Sequence, residues 1–578
     1  MRELMLGNKA VARGLYEAGC SFISSYPGTP STEITEEAAL YNEIYCEWAP
    51  NEKVALESAH GASLGGLRSA CAMKHVGLNV AADPLFTISY QGVNGGLVIC
   101  VADDPGMHSS QNEQDSRHYA IAAKIPMLEP SDSAEARVFA KKAYEISEQY
   151  ATPVFIKMCT RVAHSQSLVE TDERVLPPQK PYVKDTNRVM MTMASRMAHV
   201  RVEQRCKDLA AWAETCDLNR VEMGSTALGI ICDSTSYQYA KEALGDNASY
   251  LKIGMCYPLP GQLFRDFAAK VDRLVVLEEL DPILEDHCRK LGLKVEGKDL
   301  FPICGEFSQN LVREKLGLAV PERVSLADVA IPGRPPVMCA GCPHRGIFYT
   351  LKKLNCMVYG DIGCYTLGAV APLGAMDLNV CMGASCSGLH GFNKAMGAKG
   401  EKNSVAVIGD STFAHSGITG ITTIAYNMTN STVIVLDNSI TGMTGHQQNP
   451  TTGKNLRGEP AGRIDLEALC HAVGYEHVRV VDPYDLAAVE TALREELNRE
   501  APSIIISRRP CVMIKGTVHK APLKLNADKC IGCRSCMRIA CPAISFEGKK
   551  AKIDATLCVG CGVCTQLCKV GALKGEEA

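Results

Sequence analysis

The chain has 578 residues, 46% of them hydrophobic and 21% charged, which is enough apolar material for several domains with their own cores. A formal net charge of −4 leaves no electrostatic footprint for nucleic acid or an anionic membrane surface. No run approaches the roughly 18 apolar residues of a spanning helix, and the N-terminal segment has no signal-peptide core, so a soluble cytoplasmic protein is expected.

Residues 1–165 alternate helical and strand patterns. An amphipathic stretch, Asn8 to Ala18, precedes a strand at Ser21 to Ser25, and the turn Tyr26-Pro27-Gly28-Thr29-Pro30-Ser31 follows. A helical pattern from Asn51 to Arg68 precedes a strand at Ala70 to Met73; Leu97 to Ala102 and Val154 to Met158 read as further strands. This alternation predicts a parallel, doubly wound sheet. Residues 166–222 are charged and Met-rich without clear strands, and read as a helical linker. The rhythm returns over 223–330, with strands expected at Ala227 to Cys232, Leu251 to Met255 and Leu274 to Glu278.

A Pro-rich joint, Ile331 to Pro336, leads into a third α/β segment at 335–518, which opens on Cys339-Ala-Gly-Cys342-Pro-His344. Its strand Ser404 to Ile408 ends in Gly409-Asp410-Ser411. A helical stretch, Ser416 to Met428, follows, and a second strand, Thr432 to Leu436, ends in Asp437-Asn438. Two strand ends of one βαβ unit would set Asp410 and Asn438 side by side at the carboxyl edge of the sheet, where ligands bind. Oxygen ligands suit Mg²⁺, and a helix N-terminus near Ser411 can face phosphate oxygens. The plainer alternative is a generic βαβ unit with a surface aspartate.

Cysteine is the compositional anomaly: of 27, eight fall between Cys530 and Cys568. In an intracellular chain, metal or redox use is expected before disulfides. Residues 521–578 carry two similar halves, Cys530-x2-Cys533-x2-Cys536-x4-Cys541-Pro542 and Cys558-x2-Cys561-x2-Cys564-x3-Cys568. In bacterial two-cluster ferredoxins the fourth cysteine of each run crosses to the other cluster. That assigns Cys530, Cys533, Cys536 and Cys568 to one [4Fe–4S] cluster and Cys558, Cys561, Cys564 and Cys541 to the second. The x4 gap and Lys569, where proline is usual, depart from the pattern without removing a ligand. A pair of zinc sites is the alternative.

These motifs together resemble the thiamin-diphosphate 2-oxoacid:ferredoxin oxidoreductases. Gly409-Asp410-Ser411 and Asp437-Asn438 are similar to that cofactor's signature, with Ser411 in place of a glycine. The resemblance implies the Ile440 carbonyl as a third Mg²⁺ ligand, with Gly409, Ser411 and Gly383 completing the cofactor-binding set. Asn51-Glu52-x2-Ala55-x3-Ala59-x-Gly61 resembles the pyrimidine-domain helix, whose glutamate promotes the imino tautomer of the aminopyrimidine. Glu52 takes that role, with Glu57 as the fallback. Tyr26 to Ser31 is similar to the YPITPS motif, which implies that Thr29 approaches substrate; Gly28 replaces the isoleucine. Cys339 and Cys342, with Cys364 of Asp361-Ile-Gly-Cys364 and Cys511 of Pro510-Cys511-Val512, match the ligands of a cluster near the cofactor in this family, which would be a third [4Fe–4S] cluster. The domain order, with Met73 to Pro84 and Thr441 to Gln447, looks like that of the alpha subunits of indolepyruvate ferredoxin oxidoreductases. The resemblance then implies a pyrimidine domain (1–165), a transketolase-C-like domain (223–330), a diphosphate-binding domain (335–518) and a ferredoxin-like α+β tail (521–578). It also implies a smaller beta subunit in a heterotetramer of two alpha and two beta chains. The reaction would take an aryl pyruvate and coenzyme A to aryl-acetyl-CoA and CO₂, with electrons passing to ferredoxin. Another 2-oxoacid oxidoreductase subunit, a non-oxidative thiamin decarboxylase and a non-enzymatic electron carrier remain as alternatives. His75, His108, Asn112 and Arg117 stand in loops where substrate could be met.

Overall fold

Apolar strands bounded by turn residues pair in both units of the computed structural model, which describes residues 2–322 and 329–575. One unit is Met1–Asp328 and the other Val329–Ala578. The strands of the first are β1 (Arg2–Leu6), β2 (Phe22–Ser25), β3 (Tyr45–Trp48), β4 (Ser69–Lys74), β5 (Leu97–Asp103), β6 (Met127–Leu128), β7 (Val154–Cys159), β8 (Gln166–Glu170), β9 (Arg220–Glu222), β10 (Gly229–Asp233), β11 (Ser249–Ile253), β12 (Met255–Tyr257) and β13 (Leu274–Leu277).

A seven-stranded sheet runs β12-β6-β7-β5-β4-β2-β3. It is parallel throughout except where β12 meets β6. Every residue of β4, β5 and β7 is buried. A parallel sheet covered on both faces asks for such unbroken burial, which is why these strands read clearly as apolar runs. A second sheet has the order β13-β10-β11-β9.

Two expectations change here. The single strand expected at Leu251 to Met255 divides at Gly254: β11 stays in the four-stranded sheet, while β12 pairs with β6 in the larger one. The stretch 166–222 begins and ends in strands, because β8 pairs with β1 and β9 with β11. Both are short and only partly buried, so they carry little of the apolar signal by which strands are recognised. The helical part of that stretch is Thr192–Ala213.

Arg117 is not a loop residue open to substrate. It is 1% exposed and bonds Asp115, Asp233 (3.0 Å) and Glu278 (2.7 Å), together with the carbonyls of Glu279 and Asp281. Burial pushes Asp115 up, but the charge and hydrogen bonds of Arg117 outweigh it and hold the group at about 2. Burial leaves Asp233 and Glu278 above the usual carboxylate range. Removing one member of such a cluster strands the other buried charges. Arg117→Ala is therefore expected to destabilise the first unit by about 3–5 kcal/mol; denaturant unfolding checks this, and a shift under about 1 kcal/mol would contradict it.

In the second unit, β14 (Met357–Tyr359), β15 (Ser404–Gly409), β16 (Thr432–Asp437), β17 (His477–Val481) and β18 (Ser503–Arg508) form a parallel sheet, in the order β14-β15-β16-β18-β17. The tail pairs β19 (Lys524–Leu525) with β22 (Leu573–Lys574) and β20 (Ile544–Glu547) with β21 (Lys550–Ile553), both antiparallel. Its small core of Ile539, Ile544, Val563 and Leu573 also takes in Leu486 of the preceding domain. No helix among the described residues is long and apolar enough to cross a membrane.

Candidate functional site

Asp410 follows the last residue of β15, and Asp437 and Asn438 lie at the end of its parallel neighbour β16; Gly409 pairs with Leu436. The two signature positions are therefore at adjacent carboxyl strand ends. Asp410 is 2% exposed. Its carboxylate accepts the Ser411 amide (2.7 Å) and lies 3.4 Å from the Thr451 hydroxyl. Burial first, then the charge of Asp437, lifts its pKa to about 7. Asp437 is already paired with Arg508 at 2.8 Å. A buried carboxylate held this way by dipoles and beside a second anion suits a hard cation. Asp410 and the Asn438 amide offer side-chain oxygens at adjacent strand ends, the donor type that Mg²⁺ takes alongside phosphate.

The loop after β16 folds back over these strand ends. Thr441 and Gln447 exchange backbone hydrogen bonds, and the Thr441 hydroxyl donates to Ser411 Oγ at 2.9 Å. The departure at position 411 thus has a structural use: a serine there ties the loop down, which a glycine could not. Phe413–Gly417 is a π turn, a distortion found often at functional sites. Gly383 caps the helix Ala384–Met396, and its amide donates to Asp361 at 3.0 Å. A Cβ at that position would lie 2.5 Å from Ser416 Cβ, so the cap sits against the turn that follows Asp410. Asp361, not singled out from sequence, also accepts the Ser385 amide at 3.0 Å. Its burial lifts it to about 6.

Cys364 and Cys511 lie beside this site. Burial pushes Cys364 up to about 11, and the charges of Cys511 and Cys339 add to the effect. Cys342 is pushed to about 12 by burial, with Cys339 and Cys364 adding to it. The Cys511 amide donates to the Asn438 carbonyl at 2.9 Å, and the Asp410 charge reaches the Cys511 thiol. A Cβ on Gly442 would lie 3.4 Å from Cys364 Sγ and 4.0 Å from Asn438 Nδ2. Cys364 and Cys511 thus lie at the same sheet edge as Asp410, with Cys339 near enough to act electrostatically on both.

The tail thiols sort into two further groups. Cys536 feels Cys568, Cys533 and Cys530; Cys564 feels Cys561, Cys541 and Cys558 most strongly, then Cys536. Backbone amides point at sulfur in both groups, Ala572 to Cys568 at 3.2 Å and Leu523 to Cys558 at 3.4 Å. Hydrogen bonds of this kind stabilise cluster thiolates. Among the described residues, no three His, Cys, Asp or Glu side chains are gathered closely enough to hold a metal ion.

In the first unit, Glu52 opens the helix Glu52–Leu64, capped by Asn51, whose side chain accepts the Val54 amide at 2.9 Å. Glu52 is 5% exposed and lies against Gly77. A Cβ at 77 would come within 2.4 Å of its Oε1, so only glycine leaves room for the carboxylate. The fallback, Glu57, sits on the outer face in an ion pair with Lys53. Thr29 lies in the turn after β2, where its carbonyl is 3.4 Å from the Ser109 hydroxyl. Lys74, missed in the sequence, packs along Gly28 and donates to the Ser109 carbonyl at 2.8 Å; burial lowers it to about 8. His75 is buried between the Ala102 and Asn112 carbonyls, His108 pairs with Glu306 at 3.3 Å, and Asn112 is exposed.

Comparison with known proteins agrees with this arrangement. Residues 13–211 match the family model for the thiamin-diphosphate-binding part of pyruvate flavodoxin/ferredoxin oxidoreductases. Residues 361–507 match the C-terminal thiamin-pyrophosphate-binding domain, and residues 522–571 a 4Fe-4S dicluster domain. Fold and sites define a thiamin-diphosphate oxidoreductase subunit that handles 2-oxo acids and carries iron–sulfur clusters. An indolepyruvate oxidoreductase subunit IorA from Archaeoglobus fulgidus is 38% identical over 99% of this chain and 97% of its own length. The IorA subunit from Pyrococcus abyssi is 39% identical over the same shares. The chain belongs to the family of indolepyruvate oxidoreductase IorA subunits. A 2-oxoglutarate synthase subunit KorA from Methanothermobacter marburgensis is more distant, 24% identical over 47% of the chain and 86% of that protein.

Proposed function

We propose that the chain is the large subunit of an enzyme that oxidatively decarboxylates aryl pyruvates, indolepyruvate among them. With coenzyme A it gives aryl-acetyl-CoA and CO₂, and two electrons pass singly to ferredoxin. The observation that carries this reading is the bond from the Cys511 amide to the Asn438 carbonyl: it ties a cysteine of the proposed proximal cluster to the strand end that would hold the diphosphate. A non-oxidative decarboxylase has no use for an electron acceptor there, and an electron carrier has no use for Asp410 or Glu52.

Thiamin diphosphate, when bound, supplies the carbanion chemistry of the decarboxylation. The residues do the rest. Asp410, Asn438 and the Ile440 carbonyl would hold Mg²⁺ for the diphosphate. Glu52 would exchange a proton with the aminopyrimidine, and Thr29 would meet the substrate. Cys339, Cys342, Cys364 and Cys511 would hold a proximal [4Fe–4S] cluster, with Cys541, Cys558, Cys561 and Cys564 for the inner cluster of the tail and Cys530, Cys533, Cys536 and Cys568 for the outer one. A smaller beta subunit completes a heterotetramer of two alpha and two beta chains.

Prepared anaerobically with its partner, the enzyme should reduce ferredoxin or methyl viologen when given indolepyruvate and coenzyme A. It should hold about 12 iron atoms per large subunit, three four-iron clusters, and Cys364→Ala should bring that to about eight. Release of CO₂ without viologen reduction would move the enzyme to the non-oxidative class. Twelve iron atoms in the Cys364 variant would remove that thiol from the cluster.

A further inference from the structure

Arg345 lies three residues after Cys342, in the first turn of the helix His344–Leu354. It is 3% exposed. Its guanidinium spends its donors on backbone carbonyls of two different segments: Met338 and Cys339 (2.9 Å) of the proximal thiol loop, and Ile539 (3.3 Å) and Ala540 of the tail. Among the described residues it makes no ion pair with Asp or Glu. The Tyr484 hydroxyl donates to the Gly341 carbonyl beside it, and Gln566 of the tail donates to the Tyr484 carbonyl at 2.6 Å. A Cβ on Gly341 (φ +69°) would strike Val559, which lies between Cys558 and Cys561. The proximal thiol loop and the inner tail group thus meet directly, and Arg345 occupies the seam.

A guanidinium buried without a carboxylate is costly unless some other anion answers it. Its hydrogen bonds set it directly beside Cys339 on one side of the seam and, through Ala540, beside Cys541 on the other. Four thiolates outweigh the charge of an iron–sulfide core, so each loaded site is anionic and becomes more so when reduced.

We propose that Arg345 is a positioning residue for electron transfer, a fixed cation set between the proximal cluster and the inner tail cluster that raises the reduction potential of both and holds the tail against the cofactor domain. The inference rests on the iron–sulfur reading of these thiols. Arg345 takes no electron: each cluster gains one electron on reduction, and the nearby positive charge makes that gain more favourable. Net charge and local hydrogen bonding are established levers on cluster potentials. The same contact sets the order of the relay, with the Cys541 group next to the proximal cluster. The Cys530 group lies beyond, where Cys533 is exposed.

The test uses anaerobic holoenzyme with its partner subunit. Iron is counted, and each cluster is titrated with dithionite under EPR. In Arg345→Gln, which keeps two N–H donors of the five but loses the charge, both clusters flanking the seam should become at least about tenfold harder to reduce, a fall of about 59 mV for a one-electron couple. The Cys530-group cluster should be unmoved, and Arg345→Lys should restore most of the loss. Unchanged potentials in a fully iron-loaded Gln variant would overturn the proposal. Loss of iron in Gln but not in Lys would support it, since neither reproduces the five-donor guanidinium fork and Lys alone keeps the charge; loss in both would assign Arg345 a purely geometric role and overturn it. A wild-type enzyme with about eight iron atoms, two clusters, would remove the proximal cluster and with it the proposal.

Discussion

Asp410→Ala is expected to abolish thiamin-diphosphate binding while leaving the iron content of the tail unchanged. The carboxylate is buried at the end of β15, with Asp437 close enough to raise its pKa. Asp437 cannot take over, because Arg508 holds it at 2.8 Å. Without Asp410 the Asn438 amide and the Ile440 carbonyl would be left as neutral donors for a divalent ion. Outer partners of metal ligands are worth about 10–100-fold in affinity, so loss of the one charged ligand should exceed about 100-fold. Calorimetry with Mg²⁺ and thiamin diphosphate measures it. The tail core takes in Leu486 of the cofactor domain, so retained tail iron reports that the two still pack together. Undiminished cofactor affinity would mean that the strand-end aspartate has another use.

The positions that sequence reasoning reached share a physical reason. β4, β5, β7, β15 and β16 are buried along their whole length, and that condition writes itself into consecutive apolar residues. The tail cysteines announce themselves because their ligand spacing is local. Cys339, Cys342, Cys364 and Cys511 were joined only through resemblance: no spacing rule links residues so far apart, and the fold sets Cys364 and Cys511 at the sheet edge beside Asn438. The edge strands β1, β8, β9 and β12 escaped because one face or one side of each meets solvent or the sheet rim. Arg117 looked like a loop residue and proved to be the centre of a buried charge cluster, since its partners Asp233 and Glu278 come from strands far along the chain. Arg345 gave no signal at all: an arginine after Pro-His reads as a surface charge until the tail is seen to cover it.

Glu52→Gln is expected to leave thiamin diphosphate bound and to slow turnover by about 10²–10⁴-fold, the usual share of a general acid–base group. The substitution keeps size and hydrogen-bonding reach, and the position is governed by fit. Asn51 caps the helix that starts at Glu52, and the carboxylate lies in the space that Gly77 leaves by having no side chain. Gln fills the same space, so the helix and the cofactor pocket should persist. What it cannot do is exchange a proton with the aminopyrimidine. The expected signature is therefore a split: cofactor affinity within a few-fold of wild type by calorimetry, but single-turnover decarboxylation of indolepyruvate slowed by orders of magnitude. Gly77→Ala offers a second view of the same geometry. It leaves the carboxylate chemically intact but displaces it, because a Cβ would lie 2.4 Å from Oε1. Turnover should fall there too, since a misplacement of about 1 Å can cost about 10²-fold. Near-normal turnover in Glu52→Gln would take the proton-transfer role away from this residue, and it would not pass readily to Glu57, which faces outward beside Lys53.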